Sequence, residues 1–201
     1  KIKLNCKVCQ LVKLFKNGEP FKMSKRAGDF ISAQDLLKEV DKDSIRFMML
    51  NRSNDVEIDF DFDKVKEKTK DNPVFYIQYA YARINSLLRS LDTGLVNKIE
   101  LDEINFYLNE MEEKIIRKVF EWPKIVESAS RKFDLHKIPF YLYELSTLFH
   151  AYWSKGNEDK TYKFIENQQI KRKETLATIN LVAIVIKNGM GILDVGLPKK
   201  M

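Results

Sequence analysis

Glycine, proline, cysteine and histidine are all scarce in this chain of 201 residues, and each shortage excludes something. The seven glycines and five prolines occur at about half the usual frequencies of ~7% and ~5%. This scarcity argues against a sandwich or barrel of many short strands and favours long helices. Two cysteines cannot form a disulfide framework, so a reducing, cytoplasmic compartment is expected. With two histidines, and with no second cysteine pair beside Cys6-x-x-Cys9, we expect no protein-bound metal.

Long apolar runs are missing as well. The longest uninterrupted run covers residues 181–186, whereas a membrane-spanning helix needs ~20 such residues. The sequence therefore predicts no membrane contact.

Positive charge is concentrated near the start of the chain. Residues 1–26 hold eight Lys or Arg side chains and one acidic residue, whereas the remaining 175 residues hold 27 basic and 28 acidic side chains. A concentrated basic segment is typical of surfaces that bind phosphates or nucleic acid. An ordinary solvated face can have the same composition, so charge alone leaves both interpretations open.

The first part of the chain, residues 1–71, is predicted to form a small hairpin-and-helix segment. A strand-like run over 11–15 is followed by Asn17-Gly18, a strong two-residue hairpin signal. Ser32, with Asp35 three residues on, predicts a capped helix through residue 40, and a second helix is predicted over 44–50. The alternation over 56–63 predicts either a half-buried extended segment or a loop leading into a helix at about residue 61.

The second part, residues 72–201, is predicted to be a helical bundle. Asp71-Asn72-Pro73 marks the domain boundary, because a residue before proline is disfavoured in a helix. Helices are predicted over 73–91, 103–121, 123–134, 139–155 and 168–190, with Gly189 and Gly191 ending the last one. The predicted fold is mainly α: a helical bundle preceded by a short β-hairpin/helix segment.

A basic loop joins the predicted hairpin to the first helix. It reads Lys22-Met23-Ser24-Lys25-Arg26-Ala27-Gly28, and its ammonium groups and backbone N–H groups can hold a ligand with several phosphates. Cations placed in advance stabilise the charge that builds on a leaving pyrophosphate. The order of residues, between a hairpin and a helix, is more specific than the charge.

The predicted helix after Pro73 carries a second pattern beside its core-facing side. Tyr76, Tyr79 and Arg83 fall on one stripe, at spacings i, i+3 and i+7. Two aromatic rings and a guanidinium in a row form a platform on which unpaired bases can stack. The alternative is that the tyrosines pack on a neighbouring helix, where Arg83 pairs with an acid.

These motifs resemble those of arginyl-tRNA synthetases. The most specific stretch is 71–84, Asp-Asn-Pro-Val-Phe-Tyr-Ile-Gln-Tyr-Ala-Tyr-Ala-Arg-Ile, whereas Lys-Met-Ser-Lys alone indicates only a class I aminoacyl-tRNA synthetase. Stretches 18–28, 55–61, 141–145 and 189–201 extend the resemblance over nearly the whole chain. It implies that arginine and ATP, with Mg²⁺, form arginyl-adenylate and pyrophosphate, and that the arginyl group then moves to tRNA(Arg).

The resemblance also implies roles for individual residues. Lys25 would hold the ATP phosphates, supported by Lys22, Ser24 and Arg26, and residues 72–201 would form the anticodon-binding domain. The positions that match tRNA-facing residues of the family are Tyr76, Tyr79, Arg83, Trp153 and Met201.

The family's nucleotide-binding half, with its His-Ile-Gly-His signature and arginine pocket, has no counterpart in this sequence. We therefore expect a fragment that is inactive alone, a monomer, whose partners are tRNA(Arg), ATP and, through the missing half, L-arginine. The alternative is a non-catalytic helical RNA-binding protein that inherited the synthetase pattern and lost the chemistry.

Overall fold

The computed structural model describes residues 4–21, 31–91, 107–166 and 169–201. Its first part holds a three-stranded sheet, in which β1 (Val12–Lys16) lies between β2 (Glu19–Pro20), antiparallel to it, and β3 (Ile58–Asp61), parallel to it. Asn17 and Gly18 connect β1 to β2 with φ of 54° and 76°, the left-handed backbone that a tight hairpin turn requires. The predicted hairpin is confirmed. Of the two interpretations of residues 56–63, the extended one is correct, and a 3-10 turn (Lys64–Lys66) follows it.

Two short helices, α1 (Ala33–Glu39) and α2 (Lys42–Leu50), cover this sheet. The predicted capping box at the start of α1 is present. The Ser32 hydroxyl accepts a hydrogen bond from the Asp35 N–H, and the Asp35 carboxylate accepts one from the Ser32 N–H. Hydrogen bonds from Lys38 and from Ser32 lower the pKa of Asp35 to about 2. A small core lies beneath these helices, made of Val40, Phe60, Phe62 and Val65.

The rest of the described chain is a helical bundle. Its helices are α3 (Pro73–Ser90), α4 (Glu110–Phe120), α5 (Trp122–Lys132), α6 (Lys137–Glu158) and α7 (Lys173–Ile192). Between α6 and α7 lie a 3-10 turn (Lys160–Tyr162) and a small hairpin of β4 (Ile165–Glu166) and β5 (Gln169–Ile170). The mainly α fold is therefore confirmed. The helix predicted over 168–190 begins later, at Lys173, because the hairpin uses the preceding residues.

The bundle core forms where α3, α6 and α7 meet. Fully buried apolar side chains from the three helices pack together there, among them Ile77, Ile84, Leu142, Leu145, Phe149, Ile179, Val182 and Ile186. The i, i+3, i+4 spacing of such residues is what predicted each helix. Phe47 of α2 belongs to the same core, so α2 contacts both parts of the protein. The domain boundary between residues 71 and 72 stays a prediction.

The prediction that Gly189 and Gly191 end the last helix is wrong, because α7 continues through both to Ile192. Gly189 is buried against α6, where an added Cβ would lie 2.8 Å from the methyl carbons of Leu142. Glycine at this position allows two helices to approach closely. It is a packing residue.

One described helix, α7, is long and apolar enough to cross a membrane by length and composition alone, with a mean hydropathy of 1.5 in its most apolar window. A count of uninterrupted apolar runs therefore did not identify this helix. Half of that window is buried inside the bundle, as is common for a core helix.

Candidate functional site

A cleft with a volume of about 390 Å³ opens between α3, α6 and the last residues of the chain. Four of the five residues predicted to face tRNA line it: Tyr79, Arg83, Trp153 and Met201. Leu87 and Ile165 add apolar wall, and Lys200 adds a positive charge. The fold thus brings residues from three distant stretches of sequence to one concave surface.

Arg83 lies at the centre of this cleft. Its guanidinium carbon is 4.5 Å from the ring centroid of Tyr79 and 4.7 Å from that of Trp153, and Nη2 donates a 2.6 Å hydrogen bond to the Tyr79 hydroxyl. Within the described residues, no carboxylate forms an ion pair with this guanidinium. Its positive charge is therefore held by π faces and a hydroxyl, and it stays available to an anionic or electron-rich ligand.

The two tyrosines of the stripe pack on α6, as the alternative interpretation expected. The ring of Tyr76 lies 5.2 Å from Tyr143 and 4.4 Å from His150, and the ring of Tyr79 stacks 5.6 Å from His150. Burial raises the pKa of the Tyr76 hydroxyl. Tyr76 lies beside the cleft and supports its wall. The acidic partner that this alternative gave to Arg83 is not found among the described residues.

His150 joins the two helices beneath the cleft. It is 8% exposed, and its Nε2 lies 3.2 Å from the carbonyl oxygen of Tyr76. Because a carbonyl only accepts, Nε2 carries the hydrogen. Burial lowers the pKa of this imidazole. The hydrogen bond to the Tyr76 carbonyl offsets part of this effect, and the nearby positive charge of Arg83 lowers the pKa as well. A neutral histidine therefore backs the aromatic wall. Sequence reasoning overlooked this role, although His150 lies three residues before Trp153 on one helical face.

The basic loop residues Lys22, Ser24, Lys25 and Arg26 lie outside the described residues. Cys6 and Cys9 are exposed free thiols. In the described ranges, no group of three or more His, Cys, Asp or Glu side chains could hold a metal ion.

The helical bundle matches a family of known proteins. The family described as DALR anticodon binding domain matches residues 77–201, and the chain belongs to it. Over all 201 residues the sequence is 52% identical to the arginine–tRNA ligase of Pelagibacter ubique (strain HTCC1062), and it covers 35% of that relative. The resemblance to arginyl-tRNA synthetases, specifically to their C-terminal region, is thereby confirmed.

Solved structures show the same architecture. A Campylobacter jejuni protein assigned as an arginyl-tRNA synthetase superposes with a TM-score of 0.77 at 29% identity, over 96% of this chain and 40% of that one. The Thermus thermophilus arginyl-tRNA synthetase superposes with a TM-score of 0.65 over 96% of this chain and 35% of that one, at 19% identity, and shows the fold alone. The chain spans about a third of the length of the curated relatives it matches.

Proposed function

We propose that the helical bundle binds the anticodon arm of tRNA(Arg), as part of an arginine–tRNA ligase. One observation carries this proposal: Tyr79, Arg83, Trp153 and Met201, which the resemblance implies face tRNA, line a single cleft. Three of these side chains are an aromatic or a guanidinium, which are the groups on which unpaired bases stack.

The chemistry of the cleft suits one unpaired nucleotide. Trp153, Leu87 and Ile165 provide an apolar surface for the faces of a base, while the guanidinium of Arg83 can donate hydrogen bonds to the edge of a base. The ammonium group of Lys200, which lines the same cleft, can pair with a phosphate.

The whole protein would use ATP with Mg²⁺ to activate L-arginine and would then transfer the arginyl group to tRNA(Arg). In this proposal the Lys25 ammonium holds the ATP phosphates as pyrophosphate leaves, and Lys22, Ser24 and Arg26 support it. The contribution is electrostatic, and no covalent bond to the enzyme forms. A cytoplasmic location and a monomeric state belong to the same proposal.

Binding to RNA tests the anticodon part of the proposal. The chain is titrated with tRNA(Arg) and with a non-cognate tRNA, in wild type, Tyr79→Ala and Arg83→Ala. Since a stacked base contributes about 1–3 kcal/mol, each substitution is expected to weaken cognate binding by a comparable amount.

The matched controls lie away from the cleft. Tyr107 is 82% exposed, and Arg117 pairs with Glu113 on the exposed side of α4. Tyr107→Ala and Arg117→Ala should bind as wild type does. Equal binding of both tRNAs, unchanged by Tyr79→Ala and Arg83→Ala, would contradict the proposal.

A further inference from the structure

We propose that Arg89 and Gln78 are positioning residues, which hold residues 196–201 along α3 and so place Lys200 and Met201 in the cleft. This inference rests on the proposed function of the cleft. Neither residue lines the cleft, so their influence on a bound nucleotide passes through the segment that they hold.

Both residues bind this segment through its backbone. Gln78 Nε2 donates a 2.8 Å hydrogen bond to the carbonyl oxygen of Gly196, and Arg89 Nη1 donates a 2.9 Å hydrogen bond to the carbonyl oxygen of Lys199. Gln78 and Arg89 lie eleven positions apart on α3, which is about 16 Å along the helix axis. Two attachment points at this separation fix the direction of the segment as well as its position.

The beginning of the segment is anchored separately by α2. The Gly196 N–H donates a 2.9 Å hydrogen bond to Asp43 Oδ2, and a Cβ at position 196 would lie 2.5 Å from that oxygen. Arg46 donates to the carbonyl oxygen of Leu193, and Lys42 pairs with Asp194 at 3.1 Å. Residues 193–196 are therefore held whether or not Arg89 is present.

Beyond residue 196 the attachment is sparse. Within the described part of the chain, residues 197–201 take part in one hydrogen bond, which Arg89 donates to the carbonyl oxygen of Lys199. The side chain of Leu197 packs partly on the core. Met201 is 52% exposed. Fixing a residue's backbone costs conformational entropy, so a segment released from Arg89 would have to be ordered again when RNA binds. Removing Arg89 should therefore weaken binding.

The experiment measures RNA affinity and segment position separately. The probe for affinity is an RNA hairpin with the sequence of a tRNA(Arg) anticodon arm, titrated into wild type, Arg89→Ala, Arg89→Lys, Gln78→Ala, a deletion of residues 199–201, and the deletion combined with Arg89→Ala. The position of the segment is followed without RNA, by the NMR signal of a ¹³C-labelled Met201 methyl group. Arg117→Ala removes one exposed arginine elsewhere and serves as the control.

We expect Arg89→Ala to weaken hairpin binding roughly tenfold, as for loss of one charged hydrogen bond, and to move the Met201 signal toward that of an unstructured peptide. Gln78→Ala should act in the same direction but less strongly, because Asp43 still holds Gly196. Arg89→Lys, which keeps a donor, should recover most of the affinity, and Arg117→Ala should leave both readouts unchanged. In the deletion background, Arg89→Ala should have no further effect.

Two results would overturn the proposal. One is an unchanged Met201 signal in Arg89→Ala. The other is an equal loss of affinity from Arg89→Ala with and without residues 199–201, which would mean that Arg89 contacts RNA directly. Failure of the cleft function is distinguishable, because wild type would then not bind the hairpin while the Met201 signal still reports on Arg89.

Discussion

The guanidinium of Arg83, on α3, lies 4.7 Å from the ring centroid of Trp153, on α6, and these two side chains join the two long helices across the cleft. Phe149 and Phe164 surround the same indole at centroid distances of 6.0 and 5.4 Å. The indole is therefore held on several sides, and a ligand that enters the cleft must contact a wall that is already in position. This reduces the cost of ordering side chains on binding.

Tryptophan fluorescence should report occupation of the cleft directly. The chain has two tryptophans, Trp153 in the cleft and Trp122 packed on Tyr141 in another part of the bundle. In Trp122→Phe, where Trp153 remains, the anticodon-arm hairpin should quench emission by stacking beside the indole. Trp153→Phe, which keeps Trp122, is the matched control and should show no quenching. Equal quenching in both variants would place the RNA elsewhere.

Two glycines of α7 should respond oppositely to alanine. At Gly189 a Cβ would lie 2.8 Å from the buried Leu142 methyl carbons, whereas nothing lies within 4 Å of a Cβ at Gly191. Overpacking typically costs about 1–3 kcal/mol, and alanine favours a helix by up to about 1 kcal/mol over glycine. Urea unfolding should show that Gly189→Ala destabilises the protein and that Gly191→Ala does not. If Gly189→Ala no longer destabilises the protein more than Gly191→Ala does once Leu142 is also alanine, the clash between the added Cβ and the Leu142 side chain is confirmed.

A buried carboxylate holds α4, α6 and the start of α7 together. Glu112 is fully buried, accepts hydrogen bonds from Tyr152 at 2.8 Å and Thr175 at 2.6 Å, and pairs with Arg172 at 3.2 Å. Burial raises the pKa of the Tyr152 hydroxyl to about 12, so this hydroxyl remains a donor at neutral pH.

Replacing this carboxylate should be costly, because Glu112→Gln puts an NH₂ group in place of one carboxylate oxygen. If the remaining oxygen still accepts from Tyr152 and Thr175, this NH₂ donor faces the Asn109 N–H and the Arg172 guanidinium, which are donors as well. We expect a loss of about 3 kcal/mol in the free energy of unfolding. Glu113→Gln, one residue away, removes an exposed pair with Arg117 and should cost under about 0.5 kcal/mol. Similar losses in both variants, measured by urea unfolding, would show that the buried network contributes no more to stability than an exposed ion pair does.

Stability should depend on pH through His150. Burial lowers the pKa of this imidazole below 6.5 in the folded state, so well above pH 6.5 the side chain is neutral in both the folded and the unfolded chain. As the pH falls below 6.5 the unfolded chain gains a proton first, and folding loses stability until the folded pKa is passed.

His150→Gln keeps a side-chain amide to donate to the Tyr76 carbonyl and removes the titration. Between pH 7.5 and 5.5 we expect this variant to lose less stability than wild type, with His136→Gln as the control. NMR titration of the imidazole gives the folded pKa directly. A midpoint at or above 6.5 would contradict this prediction.

The basic loop gives a prediction for the whole protein, if it acts as the proposed ligase. If Lys25 holds the ATP phosphates as pyrophosphate leaves, Lys25→Ala should lower ATP–pyrophosphate exchange about 10²–10³-fold. Lys124→Ala, in α5 of the bundle, is a control for the loss of one positive charge. A drop of less than about threefold, against an expected 10²–10³-fold, would exclude this role for Lys25.

Local sequence determined the elements. Asn17-Gly18 specified its turn, Ser32 with Asp35 specified a cap, and Pro73 marked the start of α3, because each acts through backbone and side-chain groups within a few residues. The i, i+4 relation of Tyr79 and Arg83 was likewise visible, since helical geometry alone sets it.

Tertiary structure decided the cleft. No sequence pattern connected Arg83 with Trp153, which meet in the cleft. Trp153 and Met201 were assigned to the tRNA-facing set through the resemblance to a family alone. Gly189 had the local signature of a helix end, yet it lies inside α7, where the Leu142 side chain leaves no room for a Cβ. Arg89 carried no signal at all, because its partner is a backbone carbonyl 110 positions away. Periodicity shows which face of a helix is buried, but which residues meet there depends on how whole helices pack against each other.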